Sequence, residues 1–338
     1  MSPARRLLAV LAVLGAALAA LAVAATFLGG AALSPATVVA VLSGRAPAGA
    51  TETVVILSLR LPRIAAASLA GGALAVAGAA FQALTRNPLA EPSVLGVSSG
   101  AAFGVVLAQL AGLGDSLSQL LGLAGFAFAG ALLAGTVVYL IAAVDGALPV
   151  QTLLLAGVIV GIFFASAITA MTSVIDVNRL GGIIHWLLGN VGPLPPVSLA
   201  VFAGLAALGF WLVLGRAREL NLLALGEEAA AQLGVMVERL KLRIFVGAAL
   251  LTATVVAFAG PIGFVGLIVP HALRLFLGAD NRFLVPATLL GGASFLLLAD
   301  TIARSIVAPA ELAVGVITSL CGAPFFIWVL RTRPRVAL

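Results

Sequence analysis

Residues Arg216 to Arg243 read RARELNLLALGEEAAAQLGVMVERLKLR, the one long interval in which charges gather in an otherwise apolar chain. Glu219 to Leu225 and Glu227 to Leu233 each have the composition of a short helix, with Gly226 between them and Gly234 after the second. Glycine suits both positions because it adopts the left-handed backbone that ends a helix. Arg216 and Arg218 stand at the start of the interval, and Arg239, Lys241 and Arg243 at its end. Apolar runs lead up to it from both sides, and clustered Arg and Lys mark cytoplasmic loops of membrane proteins. The interval therefore reads as a compact knob beneath a membrane-embedded body, with the shape of a docking surface.

Composition supports that body. Of 338 residues, 62% are hydrophobic and 9% charged, too few charges to cover a soluble domain. The expectation is an all-α polytopic membrane protein. At about 20 residues per span there is room for roughly ten transmembrane helices with short loops. The 38 glycines point to close helix packing, and Gly71, Gly72 and Gly78 read as packing positions rather than chemistry. The net charge of +6 comes mostly from arginines at span ends, so it reports topology and not nucleic-acid binding. A single cysteine, Cys321, excludes an intrachain disulfide and a Cys-rich metal site.

In chain order, Arg5 and Arg6 precede an apolar run from Leu7 to about Gly30, long enough to span and too long for a typical signal-peptide core. Ser34 to Thr53 then reads as an external loop. Leu59-Arg60-Leu61-Pro62-Arg63 opens the second span, with Pro62 suited to a first helical turn. Spans follow at about 94–112, 119–142 and 150–173. Gly182 to Leu188, within the external segment Asp176–Pro196, is too short to cross. A sixth span at about 197–215 descends to the knob, and four more follow it at about 240–259, 263–274, 283–300 and 311–330. This topology places Arg5, Arg6, Arg86, Arg216, Arg218, Arg239, Lys241, Arg243, Arg274, Arg282, Arg331, Arg333 and Arg335 inside. Outside fall Arg45, Arg60, Arg63, Arg179 and Arg304. The asymmetry predicts that both termini are cytoplasmic.

Several strings in this order carry a resemblance. Glu228-Ala229-Ala230 with Gly234 is similar to the EAA…G loop of ABC importer permeases, although an ordinary alanine-rich polar loop has the same residues. LRLPR (59–63), QALTRNPLAEPSVLGVSSGA (82–101), GFVGLIVPH (263–271), DTIAR (300–304) and ELAVG (311–315) together resemble the FecCD-type permease family across nearly the whole chain. These are membrane subunits of importers for vitamin B12, haem and iron–siderophore complexes.

The resemblance implies type II ABC importer architecture. Residues 1–338 would form one transmembrane permease domain, with coupling helices at 219–234 and a short external helix near 182–188. It further implies a homodimer with two ATP-binding cassette subunits and a periplasmic or lipid-anchored substrate-binding protein, in a bacterial or archaeal cytoplasmic membrane. Leu220, Asn221, Leu225, Gly226, Glu227, Glu228, Ala229 and Gly234 would meet the ATPase. Arg60, Arg63 and Arg304 would receive acidic residues of the binding protein. Ala165 and Thr169 of the fifth span, with His185 and Trp186 at the outer mouth, would line the path. No catalytic residue, metal ligand or cofactor is expected in this chain, since ATP and Mg would sit on the partner.

The energy source is also constrained. Lys241 is the only lysine and lies in no GxxxxGK[ST] loop, so the chain does not grip ATP phosphates by that device. No acid falls at the centre of an expected span, and Gln82, Gln151 and Asp300 lie near span ends, which disfavours ion-coupled secondary transport. A secondary transporter or channel, and a structural membrane subunit, stay open as alternatives. His271, beside Pro270, fits a local hydrogen bond better than metal ligation, and Asp300 with Arg304 fits an i,i+4 pair.

Overall fold

The computed structural model describes residues 3–29, 33–47, 49–112, 118–175, 177–307 and 310–332. Asp176, Arg333 and Arg335 lie outside the described residues. Helices follow as α1 (Pro3–Phe27), α2 (Pro35–Leu42), α3 (Thr51–Val54), α4 (Leu61–Thr85), α5 (Val97–Leu110), α6 (Ser118–Ala142), α7 (Val150–Thr172) and α8 (Val177–Leu187). After these come α9 (Pro196–Leu214), α10 (Ala217–Leu223), α11 (Glu227–Gln232), α12 (Val237–Ala259), α13 (Val265–Leu277), α14 (Asn281–Ala303) and α15 (Val314–Thr332). Among the described residues, seven helices are long and apolar enough to cross a membrane. The shorter apolar helices Val97–Leu110, Val265–Leu277 and Val314–Val329 occupy the places of the other expected spans.

Helix α4 is the centre of the bundle. It packs on α14, α12, α13 and α9, while α5, α6 and α7 form a second group against α12. The most apolar stretch of the α4 span is 83% buried, whereas that of α1, at the periphery, is 0% buried. Small residues explain how so many helices reach α4. The backbones of Gly71 and Gly292 meet directly, as do those of Gly78 and Gly266. Packing of backbone on backbone is what holds helices together where lipid removes the hydrophobic driving force.

Three expectations change. The second span does not open at Leu59: one continuous helix runs Thr51–Thr85, with a π-helical turn at Val55–Arg60 ahead of the proline. Pro62 lacks the N–H for a regular helical bond to the preceding turn, and the wider π turn accommodates that gap. The external loop at Ser34 to Thr53 contains α2, whose N-terminus is capped by the Ser34 side chain accepting from Thr37 N–H at 3.1 Å. The external helix near 182–188 is longer than expected, running Val177–Leu187.

Helix α13 is a half-span whose start is built by a distant loop. Phe264, just before it, has φ 68°, a left-handed conformation uncommon for an aromatic residue. Its N–H donates to Oε1 of Glu91 at 2.7 Å, so the RNPLAEP loop caps the GFVGLIVPH helix. Gln82 of α4 adds a bond to the Gly266 carbonyl at 3.2 Å and accepts from Arg274 at 3.0 Å. His271 is buried, edge-on to Phe325 and Phe326.

Candidate functional site

At one end of the bundle, α10 and α11 form the knob. Leu220 is fully buried inside the chain with Leu223, so it anchors the knob and presents nothing to a partner. Asn221 is likewise an internal tie. Its Nδ2 donates to Asp280 Oδ1 at 2.6 Å, and its Oδ1 accepts from Asn281 N–H at 2.8 Å and Nδ2 at 2.9 Å. The physical reason for both departures from the expected docking set is helix phase, because Leu220 points into the core and Asn221 toward the start of α14. Bonds from the Arg282 side chain, chiefly, hold Asp280 at a pKa of about 2. That carboxylate therefore stays ionised and able to accept across the physiological range.

The rest of the expected set is placed differently. Leu225, Leu233 and Met236 are exposed at 67%, 59% and 62%, three large apolar side chains left uncovered on a charged protrusion. Glu228 and Gly234 are exposed as well, and Glu227 and Ala229 half-buried. Gly226 joins the two helices with φ 116° and ψ 154°, a backbone conformation essentially restricted to glycine. Leu233 lies within the expected coupling helices at 219–234, whereas sequence reading missed Met236, although an apolar residue three positions after Leu233 on a charged island is a detectable signal.

At the opposite end, the three arginines expected on a wet rim are buried, with 4%, 8% and 4% exposure for Arg60, Arg63 and Arg304. Two of them finish α1: Arg60 donates to the Thr26 carbonyl at 2.7 Å and Arg304 to the Ala25 carbonyl at 2.6 Å. Carbonyls at a helix C-terminus lack partners and carry partial negative charge, so guanidinium groups are drawn in. Arg63 donates from Nε and Nη2 to Asp300 Oδ1 at 3.1 and 3.0 Å, and from Nη1 to Glu311 at 2.7 Å. The Asp300–Arg304 pair is the looser one, at 3.7 Å.

Asp300 is fully buried, and Arg63 supplies its closer ion pair, at 3.0 Å against 3.7 Å for Arg304. Arg63→Ala is therefore expected to cost about 3 kcal/mol, the lower end of the usual effect of removing one member of a buried pair, because Arg304 still faces the carboxylate. A thermal melt in detergent checks this, and an unchanged midpoint would assign the compensation to another group.

The expected path residues Ala165 and Thr169 both lie on the exposed face of α7. That face changes character along the helix. Leu155, Val158, Ile159, Ile162 and Phe163 are exposed up to its middle turns, and Ala165, Ser166, Thr169 and Ala170 toward its end, with Ser173 and Val174 exposed just beyond it. His185 is exposed and Trp186 half-buried on α8, whose end packs near α12, with Gly260 against the Trp186 carbonyl at 2.6 Å from an added Cβ. Among the described residues no group of three or more His, Cys, Asp or Glu could hold a metal ion.

Comparison with known proteins fits this arrangement. A model of the FecCD transport family matches residues 16–332. The chain is 43% identical over 279 residues to the cobalamin import system permease protein BtuC of Halobacterium salinarum, covering 82% of this chain and 73% of that one. It is 42% identical over 274 residues to the hemin transport system permease protein HmuU of Yersinia pestis, covering 80% and 81%. A metal-chelate type ABC transporter solved in an inward-facing conformation superposes with a TM-score of 0.82 at 32% identity, covering 97% of this chain and 100% of that one. In this family hydrolysis of ATP belongs to separate subunits, which agrees with a chain that carries no phosphate-gripping loop. The protein is a multi-pass membrane protein of the FecCD transport family, a permease subunit of an ABC importer.

Proposed function

We propose that this permease imports a metal chelate, of the haem, corrinoid or ferric siderophore class, across a bacterial or archaeal cytoplasmic membrane as a homodimer. Two ATPase subunits, which hold ATP and Mg, would seat on the knob, and a periplasmic or lipid-anchored binding protein would deliver cargo at the opposite end. Both termini are then cytoplasmic, and residues 1–338 act as one permease domain. The observation that carries the reading is the exposure of three large apolar side chains, Leu225, Leu233 and Met236, on a charged protrusion that is itself anchored by buried leucines and polar ties. Such exposure fits a protein partner better than water.

The cargo class follows from what the relatives transport: cobalamin for BtuC and hemin for HmuU. The mechanism is alternating access, in which closure of the ATPase pair on ATP moves the knob and, through it, the spans. The small and polar stretch of α7 from Ala165 to Ala170 supports a path on the two-fold axis, because a lipid-facing surface favours bulkier apolar side chains. His185 and Trp186 would flank its outer mouth.

Docking of the binding protein remains assigned to Arg60, Arg63 and Arg304, in altered form. The cluster holds Arg63 and Arg304 against the carboxylates of Asp300 and Glu311, with the Arg60 guanidinium on the end of α1 as a third positive charge, which leaves net positive charge near the outer face. Glu311 is its most accessible member, at 41% side-chain exposure. Acidic residues of a partner would exchange with Glu311 for Arg63, a trade of one charge-assisted bond for another.

The homodimer axis is tested with Ala165→Cys and Thr169→Cys in protein whose exposed Cys321 has been replaced. Oxidative cross-linking to a dimer is expected at one of these positions or a neighbour on the same face. Absence of cross-links along the whole face would refute the axial path.

A further inference from the structure

Lys241, which the docking surface and the path leave without a role, joins them. Its side chain is 3% exposed and its Nζ lies 2.7 Å from Glu227 and 2.8 Å from Glu238. It also donates to the Leu148 carbonyl at 3.2 Å. All three donors of the ammonium group are thereby engaged. Glu238 completes a loop of bonds, since its second oxygen accepts the Leu148 N–H at 2.6 Å. Leu148 is thus held by both backbone groups, and its side chain is buried.

The three elements brought together are distinct in function. Glu227 is the first residue of α11, on the knob, and Glu238 and Lys241 belong to the first turns of α12. Leu148 closes the turn between α6 and α7. There is little slack between Leu148 and α7. Val144 and Ala147 exchange backbone bonds at 3.0 and 2.9 Å around Asp145-Gly146, both with positive φ, which is the geometry of a tight two-residue turn. Pro149 follows with φ fixed by its ring and precedes the first residue of α7, Val150.

We propose that Lys241 is a positioning residue for coupling: it transmits displacement of α11 to the Leu148 turn, and so to the start of α7. This rests on the reading of the knob as the ATPase seat and of α7 as a wall of the path. A compact ammonium group suits the task because it can bridge carboxylates from two helices and a carbonyl from a third element at once. Glu227 and Glu238 keep 36% and 39% side-chain exposure, so removing the lysine charge leaves carboxylates that water can reach and does not strand them.

The test uses the permease–ATPase complex with its binding protein in proteoliposomes, reading uptake and ATP hydrolysis on the same preparation. Lys241→Met is expected to lower cargo moved per ATP at least tenfold while hydrolysis stays within about twofold of wild type. Lys241→Arg, which keeps a charge and several donors, is expected to restore the ratio to within about threefold. Glu227→Gln frees only the knob link, leaving the grip on Leu148, and is expected to lower the ratio at least threefold. An unchanged ratio in Lys241→Met and Glu227→Gln would overturn the proposal. So would a parallel fall of hydrolysis and uptake in Lys241→Met, because that is the signature of a stabilising contact alone. The wild-type arm separates this from the underlying reading: if the unmodified complex shows no ATP-driven uptake, the coupling assignment itself fails.

Discussion

Replacing Gly226 with proline is expected to lower ATP-driven uptake at least tenfold, with the bundle itself still folded. Gly226 sits at φ 116°, far from the roughly −65° that a proline ring imposes. Its N–H also donates to the Leu223 carbonyl at 3.0 Å, a bond that proline abolishes. The link between α10 and α11 must then take another course. That swings the exposed Leu225 away from Leu233 and Met236 and displaces Glu227 from Lys241. Gly226→Ala is the graded control: it keeps the N–H and meets only the strain of a side chain in a glycine region, of order 1–3 kcal/mol. Uptake in proteoliposomes, with ATPase association followed on a sizing column, checks both. Full activity of the proline variant would mean that the relative placement of the two knob helices does not matter.

Gly78→Val is expected to have an effect of another kind, the loss of folded permease. A Cβ at Gly78 would overlap the carbonyl, its carbon and the Cα of Gly266. Ordinary overpacking costs about 1–3 kcal/mol because side chains move aside. Here the obstacle is backbone, and α13 cannot retreat, since Glu91 and Gln82 tie its first residues to neighbouring segments. Gly71 stands in the same relation to Gly292 of α14. A surface control such as Gly204→Val, with nothing near its Cβ, should leave the protein intact. Recovery of monodisperse protein from membranes distinguishes the two, and a well-folded Gly78→Val variant would show that the helix contact is softer than its geometry implies.

Gly71, Gly72 and Gly78 were legible as packing positions because a glycine-rich span in lipid has few other uses. Seven spans among the described residues were legible for a similar reason, since each needs a continuous apolar run. The knob was legible because charge is so scarce elsewhere. What stayed hidden depended on partners distant in the sequence. Nothing near Arg63 shows that Asp300 and Glu311 will enclose it, and nothing near Arg60 or Arg304 shows that they cap α1. An arginine at a span end has the same local sequence whether it faces water or a buried carboxylate.

Helix phase hid the rest. Leu220 and Asn221 share the knob with Leu225 but lie on its inner face, and a seven-residue helix offers too few turns for periodicity to tell. The π turn before Pro62 leaves no compositional mark, so the reading started the second span at Leu59, within that turn. In sequence Lys241 counted as one of the inside charges and as evidence against a phosphate-gripping loop, with nothing to show its partners. Its bond to the Leu148 carbonyl joins segments 93 residues apart.

The most direct measurement of the central claim is cargo accumulation in proteoliposomes holding this permease, its cognate ATPase and an external binding protein loaded with a haem, corrinoid or ferric siderophore. The account predicts uptake that requires ATP on the ATPase side and stops when either partner is omitted. Accumulation by the permease alone, driven by an ion gradient and indifferent to ATP, would contradict it.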